Sequence, residues 1–410
     1  MTAPAASEPR GRSLPWLPAL GRPRACYHLI IGTTCLLTAI GLVMVLSTSS
    51  ASQLYAGQSP YSVFLHQLVG VVIGVPLIWV LSRTSPRVLR ALANPLMIAA
   101  IASLVLVLFI GQDVNGARRW IELGPVQIQP SEFAKLALLI WGADLLARKE
   151  ELRQLNDWRG LLMPLLPGAV LLALLVQAEH DLGTTFILLV ILLALLWVVG
   201  TPGRLFTCML ALIGFALLAS ILVKGYESAR LFGFLHPGGG PTGPNQQAIQ
   251  GQTALGSGQL FGVGLGHSRE KWGWVPNAST DFIFSILGEE FGLIGTLCVV
   301  FLYAGLAYAG LRVARRMSDP FLRLAAAGIT VWIAGQALVN ICTVTILLPI
   351  TGVPLPLISQ GLSSLLVTMA AIGVLLCCAR HEPDAAAVAV KRTVKGPVKR
   401  PVKARQNNEV

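Results

Sequence analysis

Residues 183–200 read GTTFILLVILLALLWVVG, a stretch without a single charge. A helix crosses a bilayer with roughly 17–25 such residues. The alternation of a half-buried strand is absent, and lipid tolerates only helices or closed barrels, so this stretch reads as a transmembrane helix. Outward from it, comparable runs recur at about 27–48, 62–82, 89–111, 131–147, 161–178, 204–223, 281–311, 321–347 and 358–379, which makes about ten spans. Composition agrees. Of 410 residues, 54% are hydrophobic and 12% charged, with a mean hydropathy of +0.69, whereas a soluble chain carries about 25% charged residues. The expected fold is an all-α integral membrane bundle.

The net charge is +12. In a soluble protein this would suggest nucleic acid, but here its distribution is a topology signal. Basic residues fall in the N-terminal tail (Arg10, Arg12, Arg22, Arg24), in alternate connections (Arg83, Arg87 and Arg90; Arg148, Lys149, Arg153 and Arg159; Arg204; Arg312, Arg315, Arg316 and Arg323) and in the C-terminal tail (Lys391 to Arg405). With alternating helices all lie on one side, which places both termini in the cytoplasm and adds some attraction to anionic lipid. No nucleic-acid partner is expected. The domains expected are a disordered basic tail at 1–26, a membrane domain at 27–380 with one large extracytoplasmic loop at 224–279, and a second disordered basic tail at 381–410. No cleaved signal peptide is expected before the first span. The seven cysteines suggest no disulfide framework, and neither zinc-ligand spacing nor a GxxxxGK[ST] phosphate loop occurs.

Charges that break the apolar rule mark the candidate site. In 111–136, GQDVNGARRWIELGPVQIQPSEFAKL, the adjacent Arg118 and Arg119 lie outside against the charge bias. Their guanidinium forks suit phosphate or carboxylate, or a local ion pair with Asp113 or Glu122. Ser131 is positioned to cap the next helix, and Glu132 and Lys135, three apart, share one of its faces. In QAEHDLGTT (177–185), Asp181 suits an N-cap and Gly183 a tight turn. The long loop carries an amphipathic stretch, NQQAIQGQTALGSGQL, suited to the membrane interface, and GVGLG, a weak match to a dinucleotide loop. In STDFIFSILGEEFGLIG (279–295), Asp281 starts a helix, and Asp281, Ser285 and Glu289 fall on one face with Glu290 beside them. The last loop, LLPITGVPLPLISQGLSSLL (347–366), is uncharged and proline-kinked, with hydroxyls at Ser359, Ser363 and Ser364; it reads as a wall.

Together NGARRWIELGPVQIQPSEFAKL, HDLGTT, TDFIFSILGEEFGLIG and LPITGVPLPLISQGLSS resemble the SEDS family of cell-wall glycan polymerases, over about residues 28–380. WGADLLARKEEL and GLGHSREKWG are most similar to the division-associated FtsW branch of actinobacteria, more than to the RodA elongation branch. The resemblance implies a peptidoglycan glycosyltransferase that polymerises lipid II outside the bacterial cytoplasmic membrane, at the division septum. It places the family's catalytic acid on Asp281 and its other important polar positions on Arg118, Arg119, Glu132, Lys135 and Asp181, with Glu289, Glu290 and Ser363 in support. It also implies a class B penicillin-binding transpeptidase and other division proteins as partners, because a penicillin-binding set of SxxK with KTG does not occur here. Relatives read PEAHTDFIF and SYGGSS where this chain has PNASTDFIF and SQGLSS, so Asn277, Ser279, Gln360 and Leu362 depart from the pattern.

The chemistry needs a base for a sugar hydroxyl, for which Asp281 serves, and cations for a leaving pyrophosphate, for which Arg118, Arg119 and Lys135 serve. A divalent cation, Mg or Mn, could share that task without a dedicated ligand cage. Glu289 and Glu290 would shape the field of Asp281 or pair with Lys135. The alternative from another class is a flippase for lipid-linked precursors. No inverted repeat is visible, and the polar groups gather at one face, not at the midplane.

Overall fold

The computed structural model describes residues 25–55, 57–114, 117–124, 126–152, 160, 162–223 and 246–382. Apart from their inner edges, the two tails lie outside these residues, as does 224–245 of the long loop. Eleven helices are found among the described residues: α1 (Ala25–Tyr55), α2 (Ser62–Arg83), α3 (Pro86–Ile110), α4 (Pro130–Glu151), α5 (Leu165–Ala178), α6 (Leu182–Val199), α7 (Gly203–Val223), α8 (Gln246–Ser257), α9 (Ile283–Arg316), α10 (Pro320–Val344) and α11 (Leu362–Arg380). Local chemistry sets several starts. Proline opens α3, α4 and α10, and the side chains of Ser85, Asp181 and Asp319 cap α3, α6 and α10.

Each expected span coincides with a helix. Seven of them (α1, α2, α3, α6, α9, α10 and α11) are long and apolar enough to cross a membrane. The α4 helix carries Glu132, Lys135 and Asp144 in its interior, while Leu165–Ala178 and Gly203–Gly214 are shorter apolar stretches. Burial separates centre from rim: 72% of the apolar window of α10 and of α11 is buried, against 17% of that of α2. The rim helix α2 packs tightly on α11, where added methyls on Gly74 and Gly373 would lie 2.2 Å from Met369 Sδ and 2.8 Å from Leu81 Cβ. Small residues of this kind let membrane helices approach closely.

Contacts at the helix ends follow the alternation expected from charge. Arg90 at the start of α3 meets Asp144 and Glu151 of α4, Arg323 of α10 meets Glu150, and Arg316 of α9 meets Glu382 after α11. Arg380 of α11 donates to Ser82 O of α2. These residues define a basic end. The connections 111–129, 179–181, 258–282 and 345–361 gather at the opposite end.

Two features depart from an uninterrupted helical bundle. The 112–128 connection, expected as loop, is a three-stranded antiparallel sheet of β1 (Gln112–Val114), β2 (Ala117–Leu123) and β3 (Val126–Ile128). The span expected unbroken over 281–311 is interrupted at Gly292, which adopts φ 65° and ψ −163°. The connection after α8 repairs the break. Val263 N and Gly264 N donate to Glu289 O (2.9 Å) and Glu290 O (3.1 Å), while Leu293 N and Ile294 N donate to Gln259 O (2.9 Å) and Leu260 O (3.3 Å). Backbone groups inside a bilayer must be paired within the protein, and here a re-entrant loop takes over from the helix ladder. The fit leaves no room for a methyl: a Cβ on Gly292 would lie 2.4 Å from Gly262 N, and one on Gly262 2.1 Å from Glu290 O. With the Val263 and Gly264 amides so engaged, GVGLG is not a dinucleotide loop. The amphipathic α8 buries Ala248, Gly251 and Ala254 and packs against α9.

Candidate functional site

The centre of the end opposite the arginines is the 349–361 loop. Its prolines at 349, 354 and 356 carry no N–H, so its carbonyls are matched by side chains from neighbouring helices. Asn340 Nδ2 donates to Val353 O (2.8 Å) and to Asp281 O (2.7 Å). Gln336 Nε2 donates to Pro354 O (2.9 Å), and the Tyr303 hydroxyl to Pro356 O. Ser359 Oγ accepts from Leu355 N (2.8 Å) and donates to Thr280 O (2.6 Å), and Gln360 N donates to Ser279 O (2.9 Å). On the α6 side, a Cβ on Gly183 would meet Thr351 O at 2.5 Å. Gly183 therefore serves close approach, and the tight turn expected of it falls at His180, with φ 61°. The loop is the wall its composition suggested.

Asp281 sits in a turn two residues before α9, not in its first helical turn; Phe282 is the N-cap and no side chain caps the helix. The half-buried Asp281 carboxylate faces the wall, with Oδ2 3.7 Å from the position a Cβ on Gly352 would take. Asp181 does cap. Its Oδ1 accepts from Thr184 N (3.0 Å), and its Oδ2 from Thr184 Oγ1 (2.8 Å), Gln129 Nε2 (3.2 Å) and Ser131 Oγ (3.4 Å). Ser131, expected to cap α4, is turned to Asp181 instead, and Gln129 is the N-cap without a side-chain capping bond.

Glu132 and Lys135 form the expected pair, 2.8 Å apart and only 2% and 1% exposed. Lys135 Nζ also donates to Gln336 Oε1 (3.1 Å) and lies 5.4 Å from the Trp332 ring centroid. A relay thus runs from Glu132 through Lys135 and Gln336 to Pro354 O of the wall. Glu132 Oε2 has no hydrogen-bond partner. Such a pair is costly to break, because removing one partner strands a buried charge.

The adjacent arginines separate, since neighbours on a strand point to opposite faces. Arg119 donates to the carbonyls of Glu179 (3.1 Å) and His180, while the exposed Arg118 donates to Leu108 O (3.4 Å). Glu122 accepts from Gln127 across the strand pair (3.0 Å) and is not the ion-pair partner of Arg119. Ser363 Oγ accepts from Gln129 N (3.2 Å) and donates to Gln127 O (3.1 Å), tying α11 to the junction of sheet and α4. Glu289 and Glu290 join neither Asp281 nor Lys135. Glu289 accepts from Ser268 Oγ and Arg269 N (2.9 Å); Glu290 accepts from Ser47 Oγ (2.6 Å) and Lys271 Nζ (3.1 Å). One turn before the break in α9, both acids hold the re-entrant loop.

Sequence reasoning passed over two residues and gave a third, Glu179, no role. Gln336 and Asn340, four apart in the otherwise apolar GQALVN of α10, were detectable as amides on one helix face. Glu179 closes α5 fully buried, and neither carboxyl oxygen has a hydrogen-bond partner among the described residues. Burial pushes its carboxyl up to about 9, with nearby Asp181 reinforcing the shift and Arg119 opposing it. It is therefore a neutral acid at pH 7. For a metal, no three of His, Cys, Asp and Glu converge among the described residues. The donor set suits a cation held by one carboxylate together with substrate oxygens, as Mg²⁺ often is.

Comparison with known proteins adds five findings. The family model described as FtsW/RodA/SpoVE, cell cycle protein, matches residues 27–384. The probable peptidoglycan glycosyltransferase FtsW of Mycobacterium tuberculosis is 42% identical over 386 residues, covering 94% of this chain and 73% of that protein. Stage V sporulation protein E of Bacillus subtilis is 36% identical over 356 residues, covering 86% and 96%. Among solved structures, a chain from work on structural coordination of polymerization and crosslinking by a peptidoglycan synthase complex superposes with a TM-score of 0.68 at 27% identity, covering 86% of this chain and 97% of that one. The rod shape determining protein RodA of Thermus thermophilus gives 0.61 at 28%, covering 86% and 96%.

Proposed function

The chain belongs to the FtsW/RodA/SpoVE family of cell cycle proteins, and from that premise we propose that it polymerises lipid II into the glycan strands of peptidoglycan. The names of its relatives support the activity. The observation that carries the mechanism is the placement of Asp281. Its carboxylate stands against a wall made of carbonyls and prolines, at the end of the bundle away from the arginine-rich connections.

In the proposed step the acceptor sugar's 4-hydroxyl attacks the anomeric carbon of a lipid-linked sugar. The new C–O bond forms as the bond to pyrophosphate breaks, and Asp281 takes the hydroxyl proton. Such general-base help is worth roughly 10²–10⁴ in rate. The exposed guanidinium of Arg118 is the group offered to the leaving pyrophosphate. Arg119 holds the 179–180 turn in place, and the Glu132–Lys135–Gln336 relay holds the wall. Asp181 fixes α6 against the entry to α4. Mg²⁺ or Mn²⁺ held by Asp281 and the pyrophosphate oxygens would add charge neutralisation.

A class B penicillin-binding transpeptidase is the proposed partner, working with this chain among other division proteins at the septum in the cytoplasmic membrane. The likeness to a synthase complex that coordinates polymerization and crosslinking supports it.

The test is lipid II polymerisation by purified protein. Asp281→Asn keeps size and most hydrogen bonding but removes the proton acceptor. It should insert and fold, yet polymerise at least about 10²-fold more slowly, while Asp181→Asn should retain more activity. Near-normal glycan synthesis by the Asp281→Asn protein would sink the mechanism. If the wild-type protein moved lipid II across vesicles without polymerising it, the flippase alternative would replace this one.

A further inference from the structure

We propose that a cavity at the basic end, between the start of α1 and the ends of α2 and α11, binds the phosphate of an anionic membrane lipid. The cavity measures about 460 Å³ and is lined by Tyr27, His28, Arg83 and Arg380. That volume lies within the range of small-ligand sites, about 300–1,000 Å³. Four chemical groups face it, a phenol, an imidazole and two guanidiniums, and among the described residues no carboxylate lines it.

Charge accounting places these two arginines among those without a carboxylate partner. At the same end Arg90, Arg148, Arg316 and Arg323 are each neutralised by a carboxylate, at 2.6–2.9 Å. Arg83 and Arg380 form no ion pair with any described residue. Each is held by a contact that brings no carboxylate of a described residue to it. Arg380 Nη1 donates to Ser82 O (3.0 Å), and the Arg83 guanidinium lies 4.3 Å from the ring centroid of Trp79. A guanidinium has five N–H donors, so both retain donors for a bidentate contact with phosphate oxygens.

The surroundings favour a ligand with a tail over a free anion. Val72, Val75, Trp79 and Arg83 succeed one another along one face of α2, and the three apolar residues are each more than half exposed. A chain lying along that stripe would bring its head group to Arg83, beside an exposed tryptophan of the kind that marks the membrane–water boundary. Basic pockets between helices on the cytoplasmic side are recurrent sites for anionic head groups.

The experiment uses the full chain in neutral detergent, read by native mass spectrometry and by thermal unfolding. Phosphatidylglycerol should be retained as a discrete adduct and raise the unfolding temperature, and phosphatidylcholine should do neither. Arg83→Gln, which removes no backbone hydrogen bond, should weaken phosphatidylglycerol binding about tenfold. Arg83→Gln/Arg380→Gln should abolish the adduct. Arg315→Ala, an exposed basic-end variant outside the cavity, should leave binding unchanged. Wild-type binding by both glutamine variants would overturn the site. Stabilisation by inorganic phosphate alone, equal to that by the lipid, would overturn the lipid and leave a free-anion site. Neither result would touch the polymerase mechanism, which rests on the opposite end.

Discussion

Single residues at the wall divide into those whose charge is compensated and one whose charge is suppressed. Lys135 has Glu132, and Asp181 has four donors. Glu179 has none, and burial lifts it from the ordinary carboxylate range to about 9. In the unfolded chain it ionises near 4.5, so between about 4.5 and 9 the unfolded state has released a proton that the folded state keeps. Glu179's contribution to stability is therefore full below 4.5 and falls as pH rises, by about 1.4 kcal/mol per unit across that window. Glu179→Gln should raise the unfolding temperature at pH 8 and flatten its decline from pH 5 to 9; an unchanged slope would mean that the carboxyl is solvated. The sequence displayed Glu179 in plain view, but nothing in EHD tells which of two buried acids two positions apart will be given hydrogen-bond donors. Asp181 takes the donors of Gln129, Ser131 and Thr184, while Arg119 reaches across from β2 only to the 179–180 carbonyls.

At the scale of the element, α9 is where local reading went furthest and then stopped. The acids of ILGEEFG were recognised as out of place in an apolar span, yet their partners are Ser47, Ser268 and Lys271, up to 243 residues away. The break at Gly292 was hidden because an isolated glycine in a helix pattern is ordinarily tolerated; only the loop after α8 makes it necessary. The strand character of ARRWIEL was hidden by its neighbours, since seven residues of β2 stand between two long apolar runs. Gly292→Ala would place a methyl at a left-handed residue and 2.4 Å from Gly262 N. It should cost about 1–3 kcal/mol and speed amide exchange at Leu293, Ile294 and residues 258–275. Gly256→Ala in α8, where an added Cβ meets nothing within 4 Å, should be neutral or slightly stabilising. Equal effects from the two would refute the account of the break.

For the whole molecule, hydropathy was enough to locate the helices and charge enough to sort their ends, because both follow from the bilayer as solvent. Neither says how helices far apart in sequence meet around the wall, which depends on Gln336, Asn340 and Tyr303, and on Gln67 of α2, whose Nε2 donates to Ser359 O (3.2 Å). Orientation can be read directly. In a cysteine-free background, Ser59→Cys should react with a membrane-impermeant thiol reagent on intact cells and Arg87→Cys should not; the reverse pattern would turn the molecule over. The wall also carries a consequence for biogenesis. Residues 349–361 leave the ribosome after ten of the eleven helices, although their carbonyls are the acceptors for Gln336 and Asn340 of α10 and their backbone is the seat of Gly183. A nascent chain therefore holds those amides in an unfinished cleft until residues 349–361 arrive, and the centre proposed for catalysis is assembled late.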